Sequence, residues 1–403
     1  MNRSSPSPPA EGSSLPVVAL IHAGFILTGM VTTLLGPILP ALSAKWSLDD
    51  AHAGYLFTSQ FLGSMAGSAL SGPVIPRRGF QFSLVLGFGL MSAGVAGLGL
   101  GAWATGLLSV FCYGIGLGAV IATTNLWVAE VNPGRRAAAL NILNLAWGIG
   151  AVAYPSFAIL FRRSSSTWAL LFGLAALLGL MSVSLAWGSF ANLGNGARQA
   201  DPPVPARRSR SIWGDRFISI LGVLFFLYVG TENALGGWVA SYAQRVRASP
   251  GAVELLAPSF FWGTLLVGRA LAPACLRHVG EAKLVRLGLL LAAIGVAILL
   301  ASATLAGVFA GISLAGLGLA SVFPITVALL SQGLGAFASR AGGLMFALGG
   351  LGGATLPWLV GFLSTHFGSL KAGLVVPLLG CLTMIIIHLC NLRPMTSDFP
   401  QPA

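Results

Sequence analysis

Glu232 is an acidic residue in the interior of a long apolar stretch of the chain. It lies in Tyr228-Val-Gly-Thr-Glu232-Asn233, within the apolar run 215–243. An ionised carboxylate at the centre of a bilayer costs about 2.5–3.5 kcal/mol on insertion scales, so it must face a wet cavity, pair with a base or carry a proton. We interpret Glu232 as a hydrogen-bond acceptor for a substrate and as a proton-coupling candidate. The alternative is a structural acid, satisfied by neighbours such as Tyr228 one helical turn away.

A second polar group falls within the apolar run 136–160. Asn141, Asn144 and Gly148 recur at helical spacing, and Trp147 lies at the edge of the face that they form. Amides both donate and accept hydrogen bonds, and an indole ring can stack on the apolar face of a sugar. This pattern indicates a binding site for a hydroxylated ligand. The alternative is that the amides join neighbouring helices by hydrogen bonds.

Two further polar residues in apolar runs are candidates for the same pocket. His22 carries an imidazole, which exchanges protons readily near neutral pH, and it is the second proton-coupling candidate. A packed, hydrogen-bonded histidine is the alternative. Gln60 could offer its amide to a solute.

Motifs of enzymes and metal sites are missing from the sequence. It contains no Gly-x-Ser-x-Gly, no His-Glu-x-x-His, no Walker loop and no paired carboxylates. The five histidines are scattered over separate segments, without the spacing of metal ligands. We therefore expect a protein that is not an enzyme and that holds no metal and no cofactor.

The composition predicts that these residues are positioned by membrane-spanning helices. Apolar residues make up 56% of the chain and charged residues 8%, whereas soluble domains average about 25% charged residues. A helical span needs about 20 mostly apolar residues. Twelve such segments can be drawn: 16–40, 51–71, 80–101, 104–130, 136–160, 167–189, 215–243, 255–276, 283–303, 304–330, 339–363 and 369–391. We predict an all-α integral membrane protein with twelve transmembrane helices.

A polar stretch divides the chain into two six-helix bundles whose sequences are weakly similar. The segment 191–214 is too polar to span a membrane, and we interpret it as a cytoplasmic linker. The bundles are then 16–190 and 215–391. Residues 1–15 are predicted to be a disordered cytoplasmic N-terminus and 392–403 a cytoplasmic tail.

Basic residues predict the orientation. Counting Lys and Arg in the breaks between spans gives 16 on one side and 6 on the other, out of 22 in the chain. The richer side is expected to be cytoplasmic, with both termini inside. This count assigns Arg269 to the cytoplasmic side and Arg245 to the outer side, where its long side chain should extend to the surface. Because the basic residues lie in these short breaks, we expect no nucleic-acid partner.

The segment after the second predicted span resembles a known signature. Gly72-Pro-Val-Ile-Pro-Arg77-Arg78-Gly79 is similar to the gating loop of the major facilitator superfamily of transporters. The resemblance extends over the whole membrane region and implies two bundles of six helices related by pseudo-symmetry, the major facilitator fold. The sequence departs from the signature at Pro76, where the family usually carries an acidic residue.

Three other stretches resemble the fucose permease branch of the superfamily, which comprises sugar:proton symporters. They are Tyr228–Asn233 with Gly237-Trp238, Gly116 through Asn125, and Leu351 through Gly361. The resemblance implies proton-coupled sugar uptake, favours Asn141, and adds three residues to the candidate site, namely Asn125, Tyr228 and Asn233. Helix one offers His22 where the branch has an acid, and Ile121 stands where fucose permease has a glutamate.

We therefore expect a secondary active transporter in the cell inner membrane. Its solute would be small and polar, a sugar or sugar-like metabolite, moved by alternating access with protons as the coupling ion. Its partners would be the lipid bilayer and the solute, and it would act as a monomer. Two alternatives stay open: efflux of amphipathic compounds or drugs, and a non-transporting membrane receptor or lipid-handling protein.

Overall fold

The computed structural model describes residues 15–164, 167–187, 216–246, 251–334 and 338–390, and these contain helices and no strands. The helices are α1 (Leu15–Thr32), α2 (Leu35–Trp46), α3 (Asp50–Leu100), α4 (Trp103–Val131), α5 (Arg136–Ser164), α6 (Thr167–Trp187), α7 (Arg216–Val246), α8 (Ala257–Leu276), α9 (Glu281–Ala301), α10 (Leu305–Leu319), α11 (Val322–Leu334), α12 (Ala338–Phe367), α13 (Leu370–Gly373) and α14 (Val375–Cys390). A 3₁₀ turn at Val253–Leu256 precedes α8. The predicted linker 191–214, the predicted tail 392–403 and residues 1–14 of the predicted N-terminal segment lie outside the described residues.

The described helices supply twelve membrane spans. Ten segments are long and apolar enough to cross a bilayer, and α1 with α2 forms an eleventh that is bent by 44°. The 51 residues of α3 would extend roughly 76 Å as one straight helix, more than twice the hydrocarbon thickness of about 30 Å. A break at Gly79 divides α3 into two spans, which brings the total to the twelve predicted. The all-α integral membrane fold is confirmed.

Gly79 makes the turn between the two halves of α3. Its backbone has φ 83° and ψ 169°, a conformation that residues with a Cβ rarely adopt. The predicted gating loop differs from the structure in one respect: the chain stays helical up to Arg78. Arg77 and Arg78 are exposed on the last turn before the break, and the Arg78 guanidinium lies 5.6 Å from the centre of the Phe82 ring.

Glycines let neighbouring helices approach to backbone contact. A Cβ added at Gly67 on α3 would collide with the carbonyl of Ile115 on α4, and one at Gly118 on α4 would collide with the carbonyl of Ser64. Lipid tails give no hydrophobic drive for helix association, so close packing through small residues takes its place. This contact explains part of the chain's 54 glycines.

The two halves of the molecule, α1–α6 and α7–α14, meet along three pairs of helices: α3 with α12, α5 with α8, and α2 with α7. We name the two ends of the membrane region the Asp50 face and the Arg77 face, after residues at either end of the first part of α3. Helix α3 contacts α12 from Gly54, near the Asp50 face, to Met65. Gly54 packs on Trp358, and Met65 packs on Gly350.

The contacts between α5 and α8 follow the same course. Ser156 and Ser259 hydroxyls lie 3.2 Å apart, and the space beside Gly148, further from the Asp50 face, is filled by Leu266. These contacts join the halves from the Asp50 face to about the middle of the membrane region.

Candidate functional site

Glu232 forms a buried ion pair. The Arg269 Nη2 atom on α8 donates to Glu232 Oε1 at 2.9 Å, and the Tyr228 hydroxyl donates to the same oxygen at 2.8 Å. Arg269 Nη2 also donates to the Tyr228 hydroxyl oxygen at 3.1 Å. Glu232 is 8% exposed. The sequence left three possibilities for this carboxylate: a wet cavity, a basic partner or a bound proton. In the structure it pairs with a base.

Arg269 was wrongly assigned in the sequence analysis. It lies inside the membrane-spanning segment Val253–Leu276 and pairs with Glu232, so it is not a surface charge at the Arg77 face. The signal was present, because Arg269 falls well inside the apolar run 255–276. An arginine at that position, like an acid, needs a partner or water.

One donor of Arg269 is left without a partner. Among the described residues, no acceptor reaches the buried Arg269 Nε atom. A buried unsatisfied donor costs about 1–3 kcal/mol. A quarter of the side chain, 25%, remains accessible. The guanidinium is therefore only partly used by Glu232 and Tyr228.

Gln60 and Asn233 line a small cavity between the halves. The other lining residues are Thr32, Thr33, Leu35, Gly36, Phe57, Phe61, Gly236, Gly237 and Trp262. The cavity has room for roughly one water molecule. The Gln60 amide accepts from the Tyr113 hydroxyl at 2.8 Å and donates to the Thr32 carbonyl at 3.1 Å. Gln60 thus serves packing in this conformation.

Two tryptophans meet beside this cavity, one from each half. Trp147 on α5 and Trp262 on α8 have ring centres 5.7 Å apart and planes at 87°. The Trp147 indole N–H donates to the Thr32 hydroxyl at 3.2 Å. Sequence reasoning found Trp147 through its polar neighbours but missed Trp262, since a tryptophan in an apolar run carries no spacing signal.

Asn144 and Asn141 lie on α5 past its contact with Leu266 of α8. Both are exposed, and they lie four and seven residues from Gly148, on the face that packs against Leu266. On α8, Arg269 follows Leu266 by three residues on the corresponding face. The two helices therefore carry polar groups on corresponding faces, past the contact of Gly148 with Leu266.

Asn125 and His22 are satisfied within their own helices. The Asn125 side-chain amide donates to the Ile121 carbonyl at 2.8 Å, and His22 Nδ1 donates to the Val18 carbonyl at 2.7 Å. Both side chains are partly buried. These bonds match the structural alternative for His22 and leave its second ring nitrogen for another partner.

A second ion pair closes the Asp50 face. Arg245 at the end of α7 donates through Nη1 to Asp50 Oδ2 at 2.7 Å and binds Oδ1 through Nη2. Ser364 on α12 binds the same carboxylate, and the Ala51 amide donates to the Thr365 hydroxyl at 2.9 Å. Arg245 is half-exposed at the end of α7, in keeping with the predicted helix end, and in addition it links the two halves.

The sequence also matches a known family over more than half of its length. Residues 21–247 match the Major Facilitator Superfamily. The chain belongs to this superfamily. Membership confirms the resemblance to this superfamily that the sequence predicted. The twelve spans therefore belong to a family of transporters and not of enzymes.

Known proteins of the superfamily are similar along most of the chain. A glucose/galactose transporter of Brucella abortus is 24% identical over 362 residues, covering 85% of this chain and 86% of that protein. A bacterial homologue of the human lysosomal transporter Spinster, solved inward-facing and unoccupied, has a TM-score of 0.78 at 15% identity, covering 96% and 98%. The Escherichia coli fucose:proton symporter FucP, solved in the outward conformation, has a TM-score of 0.62 at 16% identity, covering 93% and 98%.

Proposed function

We propose that this superfamily member carries a sugar or sugar-like metabolite across the membrane by alternating access, with protons as the coupling ion. One observation carries the proposal. Past the contacts of Trp147 with Trp262 and of Gly148 with Leu266, α5 continues with the exposed amides Asn144 and Asn141, and α8 continues with Arg269, which binds Glu232 on α7. A polar site between two halves near the middle of the membrane is the arrangement that alternating access requires. The similarity to a glucose/galactose transporter supports a hexose as solute.

The Lys and Arg distribution supports a cytoplasmic Arg77 face with both termini inside, in the inner membrane. Moving Arg269 out of the count leaves this asymmetry large. With that orientation the Asp50 face is the outer one, and the contacts on it make this an inward-facing conformation. A monomer contains one complete site between its own halves.

In the proposed coupling step, Glu232 is the proton acceptor. While Arg269 holds it, the carboxylate is ionised and balanced. When the solute or a conformational change draws Arg269 away, the carboxylate is left buried without a partner, and protonation removes the cost of that charge. His22 stays the second coupling candidate, because only one of its ring nitrogens is bound in its own helix.

The direct test is uptake into proteoliposomes. We expect labelled glucose or galactose to accumulate when an inward proton gradient is applied. The variant Glu232→Gln should lose this gradient-driven accumulation, whereas Glu281→Gln, the same change at the first turn of α9, should keep it. Uptake that proceeds equally without a gradient would keep the sugar and remove the proton.

Efflux of amphipathic compounds is the second candidate function. The observation that favours it is the aromatic lining near the site, which includes Trp147, Trp262, Phe57 and Phe61. Export of a lipophilic dye from the same vesicles, with no hexose uptake, would select this function. Folded protein that moves neither class of compound would point to a receptor or lipid-handling role.

A further inference from the structure

Arg269 is more than a counter-charge for Glu232. A structural ion pair in a membrane gains most when every N–H of the guanidinium is bonded, yet Nε of Arg269 is buried and has no acceptor among the described residues. Within the described part of the chain, the guanidinium is bound through Nη2 alone, to Glu232 and Tyr228. The planar edge that runs from Nη2 to Nε is the edge that binds carboxylates with two parallel hydrogen bonds.

The position of Arg269 on α8 directs it to the cleft between the halves. Trp262, Leu266 and Arg269 form one face of the helix, at spacings of four and three residues. The first two contact α5, at Trp147 and Gly148. Arg269 comes next along this face, one turn past Leu266, and it binds Glu232 on α7.

Groups suited to hydroxyls lie on the opposite side of the same cleft. Asn144 and Asn141 are exposed on the α5 face that continues past Gly148. The Asn144 Nδ2 atom donates to the Leu140 carbonyl at 2.9 Å, so its amide oxygen is directed away from that bond and can accept from a ligand. A solute held here would meet a guanidinium on one side and amides on the other.

We propose that the solute carries a carboxylate: Arg269 binds the acid group of a sugar acid, a hexuronate or hexonate, while α5 binds its hydroxyls. This inference rests on the proposed function and specifies the solute class of the same site. Arg rather than Lys fits this role, because its fork offers two parallel donors to the two oxygens of a carboxylate.

Charge balance then requires one proton for each acid. Glu232 and Arg269 together are neutral, so a bound carboxylate brings one negative charge that the pair does not compensate. When Arg269 turns to the solute, Glu232 takes one proton from water and becomes a neutral carboxylic acid. Tyr228, the other titratable group in contact with Glu232, keeps its proton and its hydrogen bond. On release of the solute, Glu232 returns the proton to water and binds Arg269 again.

Uptake of labelled glucuronate and galacturonate, measured beside glucose and galactose in the same proteoliposomes, tests this inference. We expect the wild type to accumulate an acid sugar and to acidify the vesicle lumen by one proton per molecule. The variant Arg269→Lys keeps the charge and loses the fork, and its apparent Kd for the acid should rise roughly 10- to 100-fold. The matched control Arg286→Gln, on α9, should transport as the wild type does.

Two further variants separate binding from folding. The double variant Arg269→Gln/Glu232→Gln removes both buried charges, so it should fold and yet lose uptake of the acid. The single variant Glu232→Gln removes the carboxylate that competes with the solute for Arg269. It should bind the acid at least as tightly as the wild type, without lumen acidification.

The outcomes distinguish this inference from the proposed function. If the wild type moves neutral hexoses and neither acid, the carboxylate site is overturned and sugar transport stands. If the folded double variant still moves the acid, Arg269 does not bind it. If the wild type moves neither the neutral nor the acid sugars, the proposed function fails as well.

Discussion

Two acid–arginine pairs among the described residues differ in how far water reaches the arginine. Asp50 and Arg245 join the two halves at the Asp50 face, where the arginine side chain is 49% exposed. Glu232 and Arg269 lie within one half, where the carboxylate is almost covered and the Tyr228 hydroxyl completes the cluster. Both carboxylates are largely covered, with side chains 12% exposed at Asp50 and 11% at Glu232, but Arg245 is about twice as exposed as Arg269, at 49% against 25%. We call them the exposed pair and the buried pair after these arginines, and water replaces the partner of Arg245 at less cost than that of Arg269.

This difference suits two tasks. A contact between the halves must break and re-form in every transport cycle, so a weak, solvated pair is appropriate there. A pair inside one half can separate only if another charge or a proton takes the place of the lost partner. In the proposed mechanism the exposed pair favours one conformation, and separation of the buried pair is coupled to an incoming ion.

The largest expected effect follows from breaking the buried pair. Arg269→Gln leaves Glu232 buried without a base, and we expect a loss of about 3–5 kcal/mol of stability. Thermal unfolding of purified protein in detergent measures it. The double variant Arg269→Gln/Glu232→Gln should recover most of the loss, and a double variant as unstable as the single one would show that the charge is not the cause.

Removing the hydroxyl of the cluster should have a smaller effect. Tyr228→Phe deletes a donor to a charged oxygen, a bond that contributes about 1.5–3 kcal/mol. Tyr242→Phe is the matched control. It deletes a hydroxyl that donates to the neutral Leu299 carbonyl at 3.1 Å, and bonds between neutral groups contribute about 0.5–1.5 kcal/mol. Equal losses in the same unfolding assay would contradict a charged Glu232.

Breaking the exposed pair should change conformation more than stability. Asp50→Asn should cost no more than about 1 kcal/mol, which corresponds to a shift of at most roughly fivefold toward opening at the Asp50 face. Thr58→Cys, introduced into a cysteine-free background, reports this opening through its rate of reaction with an impermeant thiol reagent.

The charge-swapped variant Asp50→Arg/Arg245→Asp is the control, and it should bring the reaction rate back toward that of the parent. A rate that stays high after the swap would mean that Ser364, not the ion pair, holds this face closed.

The smallest expected effect is that of salt. Raising ionic strength from about 0.01 M to 0.15 M shortens the screening length from roughly 30 Å to 8 Å. The thiol reaction in the otherwise wild-type protein should quicken slightly, by less than twofold, because only the exposed pair is screened. The loss of thermal stability caused by Arg269→Gln should be the same at low and high salt. A loss that depends strongly on salt would indicate that water reaches Glu232.

Part of the site was predictable because its residues are neighbours on one helix. Glu232 and Tyr228 are one turn apart on α7, and Asn144 and Trp147 share α5, so spacing alone groups them. The bond partner of Glu232 lies 37 residues away, and the partner of Asp50 lies 195 residues away. No periodicity connects residues on different helices.

The sequence by itself determined the class of protein, the number and order of the spans, and the depth of Glu232. Hydropathy is a property of consecutive residues, and the bilayer thickness sets how long an apolar segment must be to span the membrane. The tertiary structure alone decided which base faces Glu232, that Asn141 and Asn144 are left exposed on α5, and that Arg245 joins the halves. These depend on the rotation and approach of each helix, which are set by the packing of side chains from separate helices and not by any one segment.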